Sequence, residues 1–155
     1  LWFSVLGRGL RQQSVSSTTL LTRNTFEFCY DASVHSLDGG VNDTDMTDCI
    51  VYAGGTVSGQ QGILLNGDND KIKGGKIGEG FGEEALITGT GASITGVEFG
   101  LSGGGFVDLV VGVTFTGNIV RSSANQYAVR AQTNTTVTGN EFYQTSTHRF
   151  YSFSY

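Results

Sequence analysis

The 155-residue sequence contains no proline, two cysteines, one tryptophan and one methionine, and only 15% of its residues are charged. Its 24 glycines follow no Gly-X-Y period, which with the missing proline excludes a collagen-like chain. A hydrophobic content of 38% at such low charge excludes wholesale disorder. Nine Lys and Arg against fourteen Asp and Glu give a net charge of −5, so there is no basic footprint for nucleic acid or for an anionic membrane surface. No apolar run approaches the roughly 20 residues of a membrane span, and the apolar start from Leu1 to Leu6 soon meets Arg8. Neither a signal peptide nor a transmembrane helix is read. Cys29 and Cys49 are too few for a disulfide scaffold and lack zinc spacing, so both are expected to be buried thiols. What remains is one folded, β-rich domain, long enough to bury roughly 70% of its unfolded surface. Because it opens at Leu1 and stops in an aromatic run at Tyr155, the chain is expected to be a piece of a longer polypeptide.

A repeat organises the sequence. Gly74, Gly96, Gly117 and Gly139 recur at nearly constant spacing, the middle interval being one shorter than its neighbours, and each lies in a short β-branched stretch such as Thr114-Phe115-Thr116-Gly117-Asn118. Two residues before each glycine stands an apolar residue (Ile72, Ile94, Phe115, Val137), and three after it another (Ile77, Phe99, Val120, Phe142). A weaker copy surrounds Gly54. Leu64, Leu86, Val107, Val129 and Tyr151 form a second column with the same period. The one-residue contraction shared by both columns is assigned to the glycine-rich bend from Gly100 to Gly105. Strand side chains alternate faces, so Ile94, Phe115 and Val137 are expected inside and their flanking threonines outside. A single such cycle cannot bury its inward row, but cycles stacked at about 4.8 Å can. The expected fold is all-β, a parallel β-solenoid, with residues 50–155 as regular coils and 1–49 as an irregular cap and first coils. Leu1, Val5, Leu6 and Leu10 suit one side of a short capping helix, the alternative being another strand. Phe26 and Phe28 alternating with Glu27 read as a strand.

Repeats of this length with a Gly-Asn bend, as in Thr116-Gly117-Asn118 and Thr138-Gly139-Asn140, resemble the right-handed parallel β-helix of the pectate-lyase-like superfamily. The resemblance implies an asparagine in left-handed conformation at a tight bend of each coil, a region that glycine and asparagine visit cheaply. It covers residues 50–155 well and 11–49 loosely, and is specific for fold. For activity it is open, because the superfamily includes lyases, hydrolases, epimerases, tailspikes and adhesins.

Glycosidic chemistry uses paired carboxylates, and the richest acidic stretch is the bend carrying Glu79, Glu83 and Glu84. Asp108 follows the inward Val107 and is expected outside, with Arg130 equivalent to it one coil later. The catalytic candidates are therefore Glu79, Glu83, Glu84 and Asp108, with Arg130 as a substrate-binding base. The plain alternatives are a solvated acidic loop and a surface salt bridge worth about 0 to 1 kcal/mol. The calcium-binding aspartates and catalytic arginine of pectate lyases have no counterpart here. Asn66 to Asp70 and Asp43 to Asp48 are oxygen-rich, but the first has Lys71 and Ile77 where a calcium loop of the EF-hand type needs Gly and Glu, and both are read as ordinary polar turns. No metal and no cofactor are expected.

Thr95, Thr116 and Thr138, with Ser93, Thr114 and Thr136, form two hydroxyl columns over three coils, interrupted by Lys71 and Lys73 in a fourth. Such an array suits a sugar-binding surface, resembles the ice-binding face of solenoid antifreeze proteins, and is also what good β-formers look like facing solvent. Phe142, Tyr143, Phe150, Tyr151, Phe153 and Tyr155 crowd the last coil beyond what a narrow interior holds. The sequons at Asn42 and Asn134 carry no information without secretion. The low-charge, cysteine-poor β-helix without lyase motifs is most similar to a phage tailspike or tail-fibre protein. That resemblance implies a homotrimer in the virion tail or outside the cell that binds, and in some members cleaves, a bacterial surface polysaccharide. A non-viral polysaccharide-degrading or epimerising enzyme and a non-catalytic adhesin are the alternatives.

Overall fold

The computed structural model describes residues 2–4, 10–12, 19–27, 34–36, 44–52, 57–78, 81–101, 106–122, 127–144 and 151–153. Among them every regular element is a β-strand, and the strands follow one another in triplets. The first triplets are β1 (Trp2–Ser4), β2 (Leu10–Gln12), β3 (Thr19–Thr22), then β4 (Thr25–Glu27), β5 (Val34–Ser36), β6 (Thr44–Thr47). Next come β7 (Ile50–Tyr52), β8 (Val57–Leu65), β9 (Lys71–Lys73), and β10 (Lys76–Gly78), β11 (Phe81–Ile87), β12 (Ser93–Thr95). They are followed by β13 (Glu98–Leu101), β14 (Val107–Leu109), β15 (Thr114–Thr116), then β16 (Ile119–Ser122), β17 (Val129–Ala131), β18 (Thr136–Thr138), and finally β19 (Glu141–Gln144) and β20 (Tyr151–Phe153). Each strand pairs in parallel with the one three places on. The outcome is three sheets: β1-β4-β7-β10-β13-β16-β19, β2-β5-β8-β11-β14-β17-β20 and β3-β6-β9-β12-β15-β18. The fold is a parallel β-solenoid whose later coils keep the period of the glycine column, as the repeat implies. The helical cap expected near Leu1 is not found where residues are described, since β1 and β2 are strands that extend the first and second sheets. A strand there satisfies its backbone groups on an existing ladder, which a short isolated helix cannot do.

The register explains the columns. In the third sheet Leu21, Met46, Ile72, Ile94, Phe115 and Val137 stand on successive rungs and face inward. Met46, Ile72, Ile94 and Phe115 are all but fully buried, while Leu21 and Val137, on the outermost rungs, are half-buried. The first sheet contributes Phe26, Val51, Ile77, Phe99, Val120 and Phe142 in the same manner. Phe99 and Phe115 meet across the interior with ring centroids 5.6 Å apart.

The second sheet corrects one column. Val107 pairs with Ala85 and Val129, and Ala85 with Ile63, so the inward row is Ile63, Ala85, Val107, Val129. Leu64 and Leu86 are in register with Asp108 and Arg130 and point outward. The corrected row is evenly spaced, with no shortened step. The missing residue therefore lies in the turn between β14 and β15, not in the bend from Gly100 to Gly105. Positions 110–113 join those strands where 88–92, one more, join β11 to β12.

Two bends carry left-handed residues. Between the third and first sheets they are Arg23, Asp48, Gly74, Gly96, Gly117 and Gly139, with φ from 52° to 66°, and Gly75 with φ 82° directly after Gly74. Between the second and third they are Asn69, Gly91, Gly112 and Asn134, with φ from 56° to 76°. The resemblance places a left-handed asparagine in the Gly-Asn bend, but there the glycine takes that conformation and the asparagine beside it does something else. Asn118, fully buried, accepts from Val97 N at 2.9 Å and donates to Ile94 O at 3.1 Å. Asn140 Oδ1 accepts from Asn118 N and Nδ2, at 2.8 and 3.0 Å, and Asn140 Nδ2 donates to Phe115 O at 2.8 Å. The two side chains form a ladder that satisfies corner backbone groups that neither sheet can reach. Cys49, free and buried, stands at the same corner and donates to Leu21 O at 3.4 Å; Cys29 lies outside the described residues.

The architecture is testable at both kinds of position. Phe115→Ala should cost about 3 to 5 kcal/mol and Thr116→Ala well under 1, because only the first empties the interior. Equal losses in denaturant titrations would invalidate the assignment of faces. Gly139→Val forces a β-branched residue to φ near 64° and should cost about 1 to 3 kcal/mol, read as a lowered melting temperature.

Candidate functional site

The second sheet presents an outward row that changes character along its length, from Leu64 and Leu86 to Asp108 and Arg130. Asp108 faces outward as expected, yet it is only 2% exposed. Its cover is supplied from the next coil. Arg130 Nε donates to Asp108 Oδ1 at 3.0 Å and Nη2 donates to Oδ2, a fork that engages both carboxylate oxygens. Gln132 Nε2 adds a third donor to Oδ1 at 3.2 Å. The Arg130 guanidinium lies 5.1 Å from the centre of the Phe106 ring, two residues before Asp108 on the same side of the strand. Arg130 itself remains 43% exposed.

Gln132 and Phe106 were not among the residues singled out from sequence. The signal was present: each stands two residues from a member of the Asp108–Arg130 pair, and period two puts them on one face. Glu83 and Glu84 lie in β11 and not in the expected bend, because the strand starts at Phe81; there Glu83 is opposite Gln61 beside a register shift, and Glu84 is two residues before Leu86. Their side chains, and Glu79 altogether, lie outside the described residues.

Thr95, Thr116 and Thr138 occupy a different face, the outside of the third sheet. They stand on successive rungs, Thr95 and Thr138 exposed and Thr116 half-buried, with Ser93, Thr114 and Thr136 in the parallel row. The threonine row is longer than the three coils read from sequence. Thr22 and Thr47 continue it beyond Lys73, so five of six rungs carry a threonine. The steps from Thr22 to Thr47 and from Thr47 to Lys73 are both longer than the period of the later coils, which hides them from a search at that period. The other row runs through Lys71, which meets Asp45 at 3.4 Å, and ends at Leu20, 71% exposed. The structure thus divides the predicted residues between two sheets.

The oxygen-rich turns are spent on the backbone. Asp70 Oδ1 accepts from Thr44 N at 2.8 Å, and Asp68 Oδ1 from Thr90 N at 3.0 Å. Both carboxylates thereby tie one coil to another. Asp48 occupies a left-handed bend.

The Asp108 cluster predicts its own energetics. Arg130→Ala leaves a buried carboxylate with one remaining donor and should cost about 2 to 3 kcal/mol, below the 3 to 5 typical of a fully buried pair because Arg130 is partly solvated. Replacing both, Asp108→Leu with Arg130→Leu, extends the Leu64–Leu86 row and should recover most of that loss. A double-mutant cycle in urea measures both quantities, and a double variant as weak as the single one would contradict the account.

No family model matches the chain, nor does any curated protein or solved structure. What it does is therefore argued from its own surface.

Proposed function

We propose that this solenoid binds an extended polysaccharide along its stacked rungs, in the manner of a phage tailspike or tail-fibre protein, without cleaving it. The observation that carries the reading is the third sheet's outer face. There one row carries threonine on five of six rungs and the row beside it hydroxyls on three, at the rung spacing of about 4.8 Å, giving a periodic, largely polar surface suited to a polymer more than to a compact ligand. The rigid strands beneath hold those hydroxyls at little further entropic cost on binding. Binding without cleavage is favoured because Asp108, the candidate acid with a described side chain, has both oxygens engaged by Arg130 and a further donor in Gln132. A general acid needs a proton and a free path to the glycosidic oxygen. The same proposal includes three-fold assembly and a place in a virion tail or outside the cell.

The test is affinity electrophoresis in gels of bacterial surface polysaccharides, with a reducing-end assay on the same mixtures. Retention without new reducing ends is expected. Thr95→Val, Thr116→Val and Thr138→Val together keep shape and strand preference while removing three hydroxyls, and should weaken retention at least tenfold with little change in melting temperature. New reducing ends that disappear in Asp108→Asn would overturn the non-catalytic reading. Undiminished retention by the triple valine variant would move the site off this face.

A further inference from the structure

The first sheet's outer face carries a feature that the hydroxyl rows do not explain. One of its rows runs Ile50, Lys76, Glu98, Ile119, Glu141. The row beside it runs Tyr52, Gly78, Gly100, Arg121, Tyr143, so two successive rungs between an aromatic and an arginine carry no side chain. A cavity of about 200 Å³ adjoins the first of these glycines, lined among the described residues by Ile50, Val51, Tyr52, Lys76 and Gly78. Pockets that enclose a whole small-molecule ligand run to roughly 300–1,000 Å³. This one has room for a single ring of something longer. Tyr52 and Ile50, 40% and 45% exposed, make one wall apolar with a polar tip, the surface on which the C–H face of a sugar ring stacks.

The charges beside the cavity specify the ring further. Lys76 Nζ and Arg121 Nε approach the same Glu98 oxygen at 3.6 and 3.5 Å, well beyond the 2.7–2.9 Å or so of a tight charge-assisted hydrogen bond. These side chains are one-third to one-half exposed, so their pairing is worth little and their donors and acceptor exchange partners readily. Lys76, Glu98, Arg121 and Glu141 alternate in sign and sum to zero. Arg121 is further occupied by the Tyr143 ring, 4.6 Å from its guanidinium carbon, and Tyr143 donates to Glu141 at 2.8 Å. That bond and the charge of Glu141 raise the Tyr143 pKa above its ordinary value, so the hydroxyl keeps its proton. Neighbouring donors and acceptors of balanced charge match the adjacent hydroxyls of a sugar, each both donor and acceptor. A polyanion would meet Glu98, Glu141 and a chain of net charge −5.

We infer that the Tyr52–Gly78 cavity is a stacking subsite for one uncharged pyranose ring of a polysaccharide, with Lys76 and Glu98 hydrogen-bonding its hydroxyls. The inference rests on the reading of the chain as a polysaccharide binder and adds to it a second contact surface and a substrate class. The two surfaces lie on sheets joined by a bend, with only Gly96 and Val97 between Thr95 and Glu98.

Affinity electrophoresis of the 155-residue chain against dextran, mannan and galactomannan, and against polygalacturonate and alginate, tests it at low and high salt. At least one neutral polymer should retard the chain, by an amount that salt leaves unchanged. Tyr52→Ala should weaken that retention at least tenfold and Glu98→Gln several-fold, while Tyr52→Phe, which keeps the ring, should stay within twofold. Melting curves of the three variants should overlay the parent. Retention of a neutral polymer that survives Tyr52→Ala overturns the subsite and leaves the broader reading standing. Retention by acidic polymers alone, abolished by salt, overturns the substrate class. Retention by none of the five overturns the subsite, and failure on the bacterial polysaccharides as well would remove the broader reading with it.

Discussion

Everything in this molecule depends on parallel, in-register hydrogen bonding between coils. Once Ser93, Thr114 and Thr136 share a rung position, the strand residues beside them stack on their counterparts in the next coil at about 4.8 Å. Like then meets like. Stacked apolar side chains gain from this arrangement, as the Ile72, Ile94, Phe115 column does, and stacked hydroxyls tolerate it. Stacked like charges repel, which accounts for a chain with only 15% charged residues and for the alternation of Lys76, Glu98, Arg121 with Glu141 where charges do occur. Proline would remove a ladder donor at nearly any strand position, and there is none.

The corners are where this scheme costs most, since the chain must leave the ladder and turn while its polar groups stay buried. Two devices meet the cost. Left-handed residues turn the chain in one step, and most of them in the later coils are glycine, for which that conformation carries no steric penalty. Asn118 and Asn140 then supply the hydrogen bonds that the corner backbone lacks. Gly75 shows how close the coils come: a Cβ there would collide with the carbonyl oxygen of Cys49. Asp68 and Asp70 do similar work on the other side of the coil, which is why an acid-rich turn that looks like a cation loop in sequence is a backbone cap in the structure.

How much of this is legible in the sequence depends on whether a position is decided within one coil or between coils. Ile94, Phe115 and Val137 are legible because hydroxyl residues flank each on both sides, so the alternation is explicit. The second sheet is harder. Leu64 and Leu86 are apolar and point outward, and next to Ile63 and Ala85 they leave no polar marker to tell the two faces apart, so the column drawn through them is displaced by one residue. Thr22 and Thr47 belong to longer coils and fall outside the period of the later ones. The Asp108–Arg130 pair is legible from period alone. The burial of Asp108 is not, because it is created by Arg130 and Gln132 one coil on. Nor is the Tyr52 cavity, whose lining comes from β7 and β10 and so is visible only when two successive coils are superimposed.

Two ion-pair systems on the surface illustrate how such a scaffold separates structure from function. Asp108 is buried, its oxygens are filled by a forked guanidinium and an amide, and breaking the set exposes an unpaired charge to an apolar neighbourhood. A group so committed stabilises a coil junction and has nothing left to offer a ligand. Lys76, Glu98 and Arg121 are the opposite case, half in solvent, held at 3.5 to 3.6 Å, and contributing little to folding. Groups that the fold does not need are the ones free to trade water and one another for a ligand. Since both sets lie on rigid strands of the same periodicity, the difference between them comes from burial and distance rather than residue type, and that difference directs the search for a binding surface to the first and third sheets rather than to the acid-base pair that the sequence makes most conspicuous.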